Sequence, residues 1–436
     1  MSSPRVSVIV PVYNSMPHLE RALESLRAQT VGDLEVICVD DGSSDDSPAL
    51  LERYRADADF PALTVLTGEH GGPGCARNRG LDVATGTYVY FLDADDFIEP
   101  HTLELACGRA DELGLDVVIW DFWHFNDRMG RDQHPPVGTL DFPAFSDYPG
   151  HEGRVFSAAD NPDAVFSAFG NWPWNKLFRR ELIEESGLRF PPLFRTEDLP
   201  FTCMALVRAR RMAVIYERLS HYRIRTGTSA MDNKDRHALD FFEALALFRG
   251  QLADAGLLDA YRVAYDRWAL GSVVYNLNSL QDVASFSQVF RKLRAGGLER
   301  LGLLREPEEA FDNELDRRSL DLVRAGNESA YLFFWMRNHV VFGDDAHDVF
   351  DLVESQRDGA FAERDGAFAE RDAARADLDR AREELGRMRE ELARERDARE
   401  RAEKDLYDVR RSAEYRYGTA MLRPARAVKN RLGKRK

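Results

Sequence analysis

The sequence has few cysteines, no long apolar runs and fewer positive than negative side chains. Its 436 residues include only four cysteines, and no two of them form a Cys-x-x-Cys pair. This spacing argues against zinc ligands and disulfides and is typical of reduced cytoplasmic thiols. No stretch approaches the roughly twenty apolar residues of a membrane span, and the N-terminus has no signal-peptide pattern. The formal net charge of −16 argues against general nucleic-acid binding, so we expect a cytoplasmic protein that binds no nucleic acid.

Strand-like and helix-like segments alternate in the first part of the chain. Apolar strand-like runs lie at residues 5–11, 34–40, 63–67 and 88–91, with helical patterns between them. Polar clusters follow these runs. The alternation predicts an α/β fold with an open, doubly wound sheet, whose ligands bind beyond the carboxyl ends of the strands. At 436 residues, 44% of them hydrophobic, the chain has enough length and apolar content for two or more domains.

Three carboxylates follow the fourth strand-like run, namely Asp93, Asp95 and Asp96. Buried carboxylates need a cationic or hydrogen-bonding partner, and a hard divalent ion that also binds a pyrophosphate would supply one. On a regular strand, Asp93 and Asp95 would project from the same face, which suits one carboxylate for a ribose and one for a metal. Alone, the pair is a weak signal, because acidic pairs are common at strand ends and turns.

Two further polar clusters are predicted to reach the same crevice. Asp41 follows the second run and offers a carboxylate to the N3–H of a uracil ring, while Tyr13 offers an aromatic face for stacking. Arg77 and Arg79 follow a glycine-rich turn and suit phosphate oxygens. Alternatively, the segment 40–44 is only a capped turn, since Asp, Gly and Ser are common turn residues. Both interpretations can hold together.

The glycine-rich turn does not fit a dinucleotide-binding fingerprint. Gly72-Pro-Gly74 begins like one, but Arg77 stands where the third glycine belongs. The turn also follows the third strand-like run, whereas the fingerprint follows the first. We therefore reject a dinucleotide-dependent oxidoreductase.

Four short motifs together resemble the landmarks of family-2 glycosyltransferases, which have the GT-A fold. The motifs are Val10-Pro-Val-Tyr-Asn14, Val39-Asp-Asp-Gly-Ser-Ser-Asp45, Ala76-Arg-Asn-Arg-Gly80 and Phe91-Leu-Asp-Ala-Asp-Asp96. The likeness is dense over residues 4–125, and later motifs extend it to about residue 230. It implies a catalytic domain built on a Rossmann-like open mixed sheet.

The resemblance implies a role for each residue that matches a family motif. The residues implied to cradle the nucleotide base are Pro11, Tyr13 and Asp41. Arg77 is implied to approach the diphosphate and Asp93 to meet the ribose. Asp95 is implied to bind the cofactor, Mn²⁺ or Mg²⁺.

A second acidic pair, Glu197 and Asp198, is predicted at the start of a helix, where the helix dipole stabilises carboxylates. By its pattern alone the pair is an ordinary acidic first turn. In family-2 transferases a Glu-Asp pair at this place supplies the catalytic base. The resemblance therefore implies that Asp198 deprotonates the acceptor hydroxyl and that Glu197 supports it.

The segment 220–229 alternates like a strand and then enters a glycine-containing loop. Its likeness to related transferases implies that Arg223 and Ser229 contact the donor diphosphate. His221 is a weaker candidate for the same role, and a hydrogen-bonded strand histidine is the ordinary alternative.

Two tryptophans near the second acidic pair, Trp172 and Trp174, are candidates for stacking on the acceptor sugar. Aromatic residues are also the commonest large core residues, so a core role is the alternative for both. Trp120 continues a strand-like run, and we favour the core for it.

These features predict an inverting, metal-dependent hexosyl- or N-acetylhexosaminyltransferase. It would move a sugar from a nucleotide-sugar, with UDP favoured, to a hydroxyl in one displacement. Similarity to teichoic-acid and capsule-type transferases at residues 174–180 and 196–201 implies a cell-envelope or exported glycan, or a lipid-linked polymer, as acceptor. Two alternatives stay open: an inactive glycan-binding or scaffold protein of the same fold, and a sugar-phosphate nucleotidyltransferase. The latter would usually carry a glycine-rich basic loop after the first strand, and this chain has none there.

The chain is predicted to contain four segments. They are a GT-A catalytic domain at 1–232, a helical accessory domain at 233–350, a coiled coil or long charged helix at 351–415, and a basic amphipathic tail at 416–436. The heptad at 358–364 recurs at 365–371, which favours a coiled-coil homo-oligomer over a single charged helix. Residues 421–436 carry seven basic and no acidic side chains. Such a tail suits an anionic membrane, here the inner face of the plasma membrane, and a solvated basic tail is the alternative.

Overall fold

The computed structural model describes residues 3–133, 135, 154–224, 234–280, 282–304 and 314–340. Its backbone contacts divide the chain into two compact units, 1–328 and 329–436. The predicted donor residue Ser229, the predicted coiled coil and the basic tail lie outside the described residues. The four predicted segment boundaries stay predictions. Within the described part of the chain, no helix combines the length and apolar content that crossing a membrane requires.

A mixed sheet forms the centre of the first unit, and nine strands of the described residues belong to it. The strands are β1 (Val6–Val12), β2 (Leu34–Asp40), β3 (Ala62–Thr67), β4 (Tyr88–Phe91), β5 (Phe97–Ile98), β6 (Val117–Asn126), β7 (Arg131–Gln133), β8 (Lys176–Arg179) and β9 (Met212–Ile224). Their order is β3-β2-β1-β4-β8-β6-β9-β5, and β7 pairs with β6. The first four strands of this order are parallel, whereas β8 is antiparallel to both of its neighbours. The predicted open mixed α/β sheet is confirmed.

Helices follow the strands in the order that the sequence predicts. The helices are α1 (Leu19–Arg27), α2 (Ser47–Arg55), α3 (Pro73–Leu81), α4 (Thr102–Leu113), α5 (Val165–Phe169), α6 (Arg180–Glu185), α7 (Asp198–Arg208), α8 (Asp240–Asp254), α9 (Arg262–Ser279), α10 (Val283–Lys292), α11 (Leu298–Arg300), α12 (Glu314–Ala325) and α13 (Glu328–Val340). Each buried position of α1 lies on one stripe, at Leu19, Ala22, Leu23 and Leu26. Strand β1 is buried along nearly its whole length, as a central parallel strand between two layers should be.

The acidic run after β4 lies on a turn and not on a strand. Strand β4 ends at Phe91, and the backbone N–H of Asp96 donates to the carbonyl of Asp93 at 3.0 Å. The expectation that Asp93 and Asp95 project from one face of a strand is therefore wrong. The chain turns here because β5 must begin at Phe97 to pair antiparallel with β9.

The helical region of the first unit contacts the loop that precedes α7. At the start of α8, Asp240 Oδ2 accepts the backbone N–H groups of Phe194 and Arg195 at 2.9 and 3.0 Å. His237 stacks on Phe194 with ring centroids 4.6 Å apart. The helical region therefore helps to hold the backbone that leads into the predicted catalytic pair.

Candidate functional site

The loops after β1 and β2 are joined by hydrogen bonds. Asn14 Oδ1 accepts the backbone N–H groups of Ser44 and Asp45 at 2.7 and 3.3 Å, and Ser43 Oγ accepts the N–H of Asn14 at 3.0 Å. Asn14 has a φ of 47°, a left-handed conformation that asparagine tolerates better than most residues. The junction leaves Tyr13 46% exposed at the carboxyl edge of β1, next to the partly buried Pro11.

Asp41 is buried, and its carboxylate is already engaged by protein donors. It accepts the backbone N–H groups of Gly71 and Gly72 at 3.0 and 2.8 Å, and Arg79 Nη1 donates to it at 3.2 Å. His70 Nδ1 lies 2.9 Å from Asp41 Oδ2. A uracil N3–H that bonds to this carboxylate would therefore share it with these donors or displace one of them.

The ring of His70 also covers one face of Tyr13. Their centroids are 3.8 Å apart and their planes differ by 16°. The structure thus places Tyr13 and Asp41 together, as the sequence predicts, and adds His70 between them. The capped-turn interpretation holds for the neighbouring Asp40, whose Oδ1 accepts the N–H of Ser43 at 3.0 Å.

Arg77 joins the acidic turn to the second acidic pair. Its Nη2 donates to Asp93 Oδ1 and its Nη1 to Glu197 Oε1, both at 2.6 Å. The side chains of Arg77 and Glu197 are 5% and 8% exposed. Burial alone would lower the pKa of Arg77, but Asp93 and Glu197 outweigh burial and raise that pKa. The guanidinium is therefore a buried cation held by two carboxylates. No observation tests whether it also approaches a diphosphate, so that role stays a prediction.

The acidic turn carries more negative charge than its protein neighbours neutralise. Burial and, next, the charge of Asp93 raise the pKa of Asp95 to about 6. Burial and Asp95 likewise raise the pKa of Asp96. Asp96 Oδ2 is buried and has no hydrogen-bond partner among the described residues. A bound cation would stabilise this turn.

Arg223 lies beside this turn, and its predicted contact with a donor diphosphate stays a prediction. Its Nε donates to the carbonyl of Asp95 at 2.6 Å, and its backbone N–H donates to Asp96 Oδ1 at 2.7 Å. Its Nη1 pairs with Asp127 on the hairpin between β6 and β7. Like Arg77, Arg223 is buried, and each of these two arginines is held by carboxylates or carbonyls of the protein.

The carboxylate oxygens of the turn fit a hard divalent cation. Within the described residues no group of three or more His, Cys, Asp or Glu side chains is arranged as a metal cage. Mg²⁺ usually takes only one or two protein carboxylates and completes its shell with phosphate oxygens and water. A site built on Asp95 alone or with one neighbour is therefore compatible with this donor set.

Asp198 begins α7, as predicted, and Glu197 immediately precedes it. Asn171 Nδ2 donates to Asp198 Oδ1 at 3.1 Å. Burial and, next, the charge of Glu197 raise the pKa of Asp198 to about 8. Thr196 in front of the pair has a φ of 59°, which is rare for a β-branched residue and is typical of strained positions at functional sites.

The tryptophan candidates differ in exposure. Trp174 is 5% exposed, and it stacks on Trp172 and on Tyr222 with ring centroids 5.6 and 5.1 Å apart. Because a buried ring offers no open face to a sugar, the acceptor-platform interpretation is wrong for Trp174, which belongs to the core. Trp172 is only partly buried, so stacking of its ring on the acceptor sugar stays a prediction. Trp120 is fully buried, as expected.

His221 is a structural residue of β9. Its Nδ1 lies 2.8 Å from Asp132 and its Nε2 lies 3.0 Å from Glu99, and its ring stacks on Phe97. The alternative of a hydrogen-bonded strand histidine is confirmed.

Sequence reasoning missed the contacts of His70, Asn171 and Lys176. Asn171 and Lys176 flank the two tryptophans. The sequence carries a signal for Lys176, because a charged residue directly before the apolar pair Leu177 and Phe178 is unusual at a buried strand position.

The sequence and the fold both have known relatives. Residues 7–187 match the model of the family described as "Glycosyl transferase family 2". The chain is 32% identical over 307 residues to "Putative glycosyltransferase EpsH" of Bacillus subtilis, an alignment covering 68% of this chain and 83% of that protein. It is 28% identical over 266 residues to the poly(ribitol-phosphate) beta-N-acetylglucosaminyltransferase TarS of Staphylococcus aureus, covering 59% of this chain and 42% of TarS. The alignment thus spans less than half of the length of TarS.

The crystal structure of TarS 1–349 in complex with UDP superimposes with a TM-score of 0.56. The match covers 77% of this chain and 91% of that chain, at 24% sequence identity. The structure of the same fragment with UDP-GlcNAc matches with an equal TM-score of 0.56. At this identity the likeness shows the fold, which is the predicted GT-A fold.

Proposed function

The chain belongs to glycosyltransferase family 2, and from this we propose that it transfers a sugar from a UDP-sugar to a hydroxyl of a cell-envelope polymer, with inversion at the anomeric carbon. The observation that carries the proposal is the double ion pair of Arg77. It joins the acidic turn, which suits a divalent cation that would bind the donor diphosphate, to the acidic pair, which suits a base. Two halves of a transfer reaction therefore meet at one edge of the sheet.

On the donor side, Tyr13 offers its exposed ring to the base, and Asp41 with its attached donors forms the wall beside it. Asp93 lies where a ribose would follow, and Arg223 faces the diphosphate. Asp95 would hold Mn²⁺ or Mg²⁺, which when bound supplies positive charge to the leaving UDP. TarS, crystallised with UDP and with UDP-GlcNAc, supports the choice of a uridine donor.

On the acceptor side, Asp198 is the base and Glu197 supports it. The carboxylate takes the proton of the acceptor hydroxyl as the oxygen bonds to the anomeric carbon from the face opposite the diphosphate. The bond from that carbon to the diphosphate breaks with both electrons remaining on UDP. Because the reaction is a single displacement from the face opposite the leaving group, the anomeric carbon of the product has the inverted configuration. The similarity to TarS, a poly(ribitol-phosphate) beta-N-acetylglucosaminyltransferase, supports a polymer of the cell envelope as the acceptor class.

Donor turnover tests this proposal directly. We expect the wild-type protein to release UDP from one member of a panel of UDP-N-acetylglucosamine, UDP-glucose and UDP-galactose when Mn²⁺ is present. EDTA should stop the release. A protein that neither binds UDP in calorimetry nor releases it from any of the three would contradict the proposal and favour a glycan-binding or scaffold role.

Asp95→Asn is expected to raise the stability of the metal-free protein and to abolish its stabilisation by Mn²⁺ with UDP. Asparagine removes a carboxylate whose charged form is disfavoured by burial and by Asp93, so the metal-free protein should be more stable than the wild type at pH 7. The increase in melting temperature that Mn²⁺ with UDP gives the wild type should be lost. The matched control is Asp93→Asn, which removes a charged partner of Arg77 and should lower the melting temperature. Equal shifts of the same sign in both variants would contradict this account.

A further inference from the structure

A lysine is fully buried at the start of β8. Lys176 has 0% of its surface exposed, and its Nζ donates to the carbonyls of Phe169 and Trp172 and to Asn175 Oδ1 at 2.9, 2.8 and 2.8 Å. An ammonium group has three N–H donors, so each one has a partner. Burying such a group is costly unless its bonds are complete, and here all of them go to residues 169–175.

These bonds fix a short loop between α5 and β8. Gly170 has a φ of 60°, and a Cβ at this position would lie 2.8 Å from the ring of Trp172. The first part of the loop is therefore tight, and Lys176 holds it through the carbonyls of Phe169 and Trp172. Asn171 lies between those two held residues.

The same loop contacts the proposed base. Asn171 Nδ2 donates to Asp198 Oδ1 at 3.1 Å, a contact that joins residues 27 positions apart in the chain. Burial lowers the pKa of Lys176 to about 7, an effect that the charges of Cys203 and Asp198 oppose. No direct ion pair joins Lys176 to Asp198, and the contacts that connect them run through the loop and Asn171.

We propose that Lys176 and Asn171 are positioning residues for the reaction. Lys176 holds the loop 169–172 so that Asn171 orients the carboxylate of Asp198 and Trp172 presents its partly open ring beside it. This inference rests on the proposed role of Asp198 as the base. A lysine serves here because its three donors reach two carbonyls and a side-chain amide at once, which no apolar residue can do.

The test compares Asn171→Ala, Lys176→Met and the double variant. Turnover is measured as Mn²⁺-dependent release of UDP from UDP-N-acetylglucosamine, UDP-glucose and UDP-galactose, and binding of UDP is measured by calorimetry. A hydrogen bond to a charged group contributes about 1.5–3 kcal/mol, so each single variant should lose about tenfold or more in kcat with KM for the donor unchanged. The double variant should lose no more than the worse single variant, because both changes act through one contact.

The control for a lost buried amide is Asn276→Ala in α9, where Asn276 Nδ2 donates within its own helix. It should lower the melting temperature and leave kcat unchanged. If Lys176→Met does not fold, Lys176→Gln retains two donors, and Asn171→Ala by itself remains decisive. Wild-type kcat in Asn171→Ala, or losses that multiply in the double variant, would overturn the proposal.

The outcome for Asp198→Asn distinguishes this failure from failure of the proposed function. If that variant keeps wild-type turnover, Asp198 is not the base and the proposed mechanism falls. If it loses turnover while the Asn171 and Lys176 variants do not, only the positioning role falls.

Discussion

Asp198→Asn is expected to lower turnover about a thousandfold, within the range of about 10²–10⁴ that a positioned general base contributes. Asparagine has nearly the same shape but does not take a proton from the acceptor hydroxyl. UDP binding should persist, because the proposed donor residues Tyr13, Asp41 and Asp93 are unchanged. The measurement is the rate of Mn²⁺-dependent UDP release, with UDP affinity from calorimetry. A matched control is Asp259→Asn, whose side chain is almost fully exposed and whose loss should change neither quantity.

The pH dependence of the wild type gives an independent check on Asp198. Burial and the charge of Glu197 raise the pKa of Asp198 to about 8. A base is active only when it has lost its proton, so kcat should rise as the pH increases and level off above about 8. The rising limb should be absent from the residual activity of Asp198→Asn. An unchanged limb in the variant, or an activity that falls as the pH rises toward 8, would assign the base to another residue.

Arg77→Met is expected to destabilise the protein by about 3–5 kcal/mol, the cost of removing one partner from a buried ion pair. Methionine fills a similar volume but leaves Asp93 and Glu197 without the cation that faces both of them. The free energy of unfolding in urea measures this effect. Turnover should fall as well, because the acidic turn and the catalytic pair lose their connection.

Arg79→Met on the same helix is the matched control. The Arg79 side chain is 36% exposed and its ion pair with Asp41 spans 3.2 Å, so its loss should cost at most about 1 kcal/mol. Arg77→Lys keeps the charge but not the fork of two donors, and an intermediate loss is expected. An Arg77→Met protein as stable as the Arg79→Met protein would show that the double ion pair contributes little.

Much of the donor side could be predicted because its signals are local. Apolar runs with β-branched residues predict strands such as Val6–Val12, and polar clusters at their ends predict ligands at one edge of a parallel sheet. Asp41 and Asp93 could therefore be placed near each other without a structure. The acidic pair Glu197 and Asp198 was also placed correctly at a helix start, because acidic residues in a first turn follow the helix dipole.

The connections within the site could not be predicted, because they join distant residues. Arg77 and Glu197 are 120 positions apart, and no periodicity encodes which carboxylate an arginine meets. The burial of Trp174, which argues against its acceptor role, depends on packing with Trp172 and Tyr222. Strand β4 ends at Phe91, so Asp93 and Asp95 lie on a turn and not on the strand that was expected. The three bonds of Lys176 to residues 169–175 depend on how the loop folds back onto β8, which the sequence pattern does not specify.

The amino-acid sequence by itself determined the order of strands and helices, the membership of a transferase family and the chemical types at the site. These follow from periodicity, turn chemistry and short motifs, which depend on neighbours in the chain. Only the tertiary structure decided which carboxylates are paired, which ring is open and which cation is internal. Packing sets burial, and burial sets the electrostatic cost of each charge, which is why Arg77 and Lys176 are buried with their donors bonded to carboxylates or carbonyls.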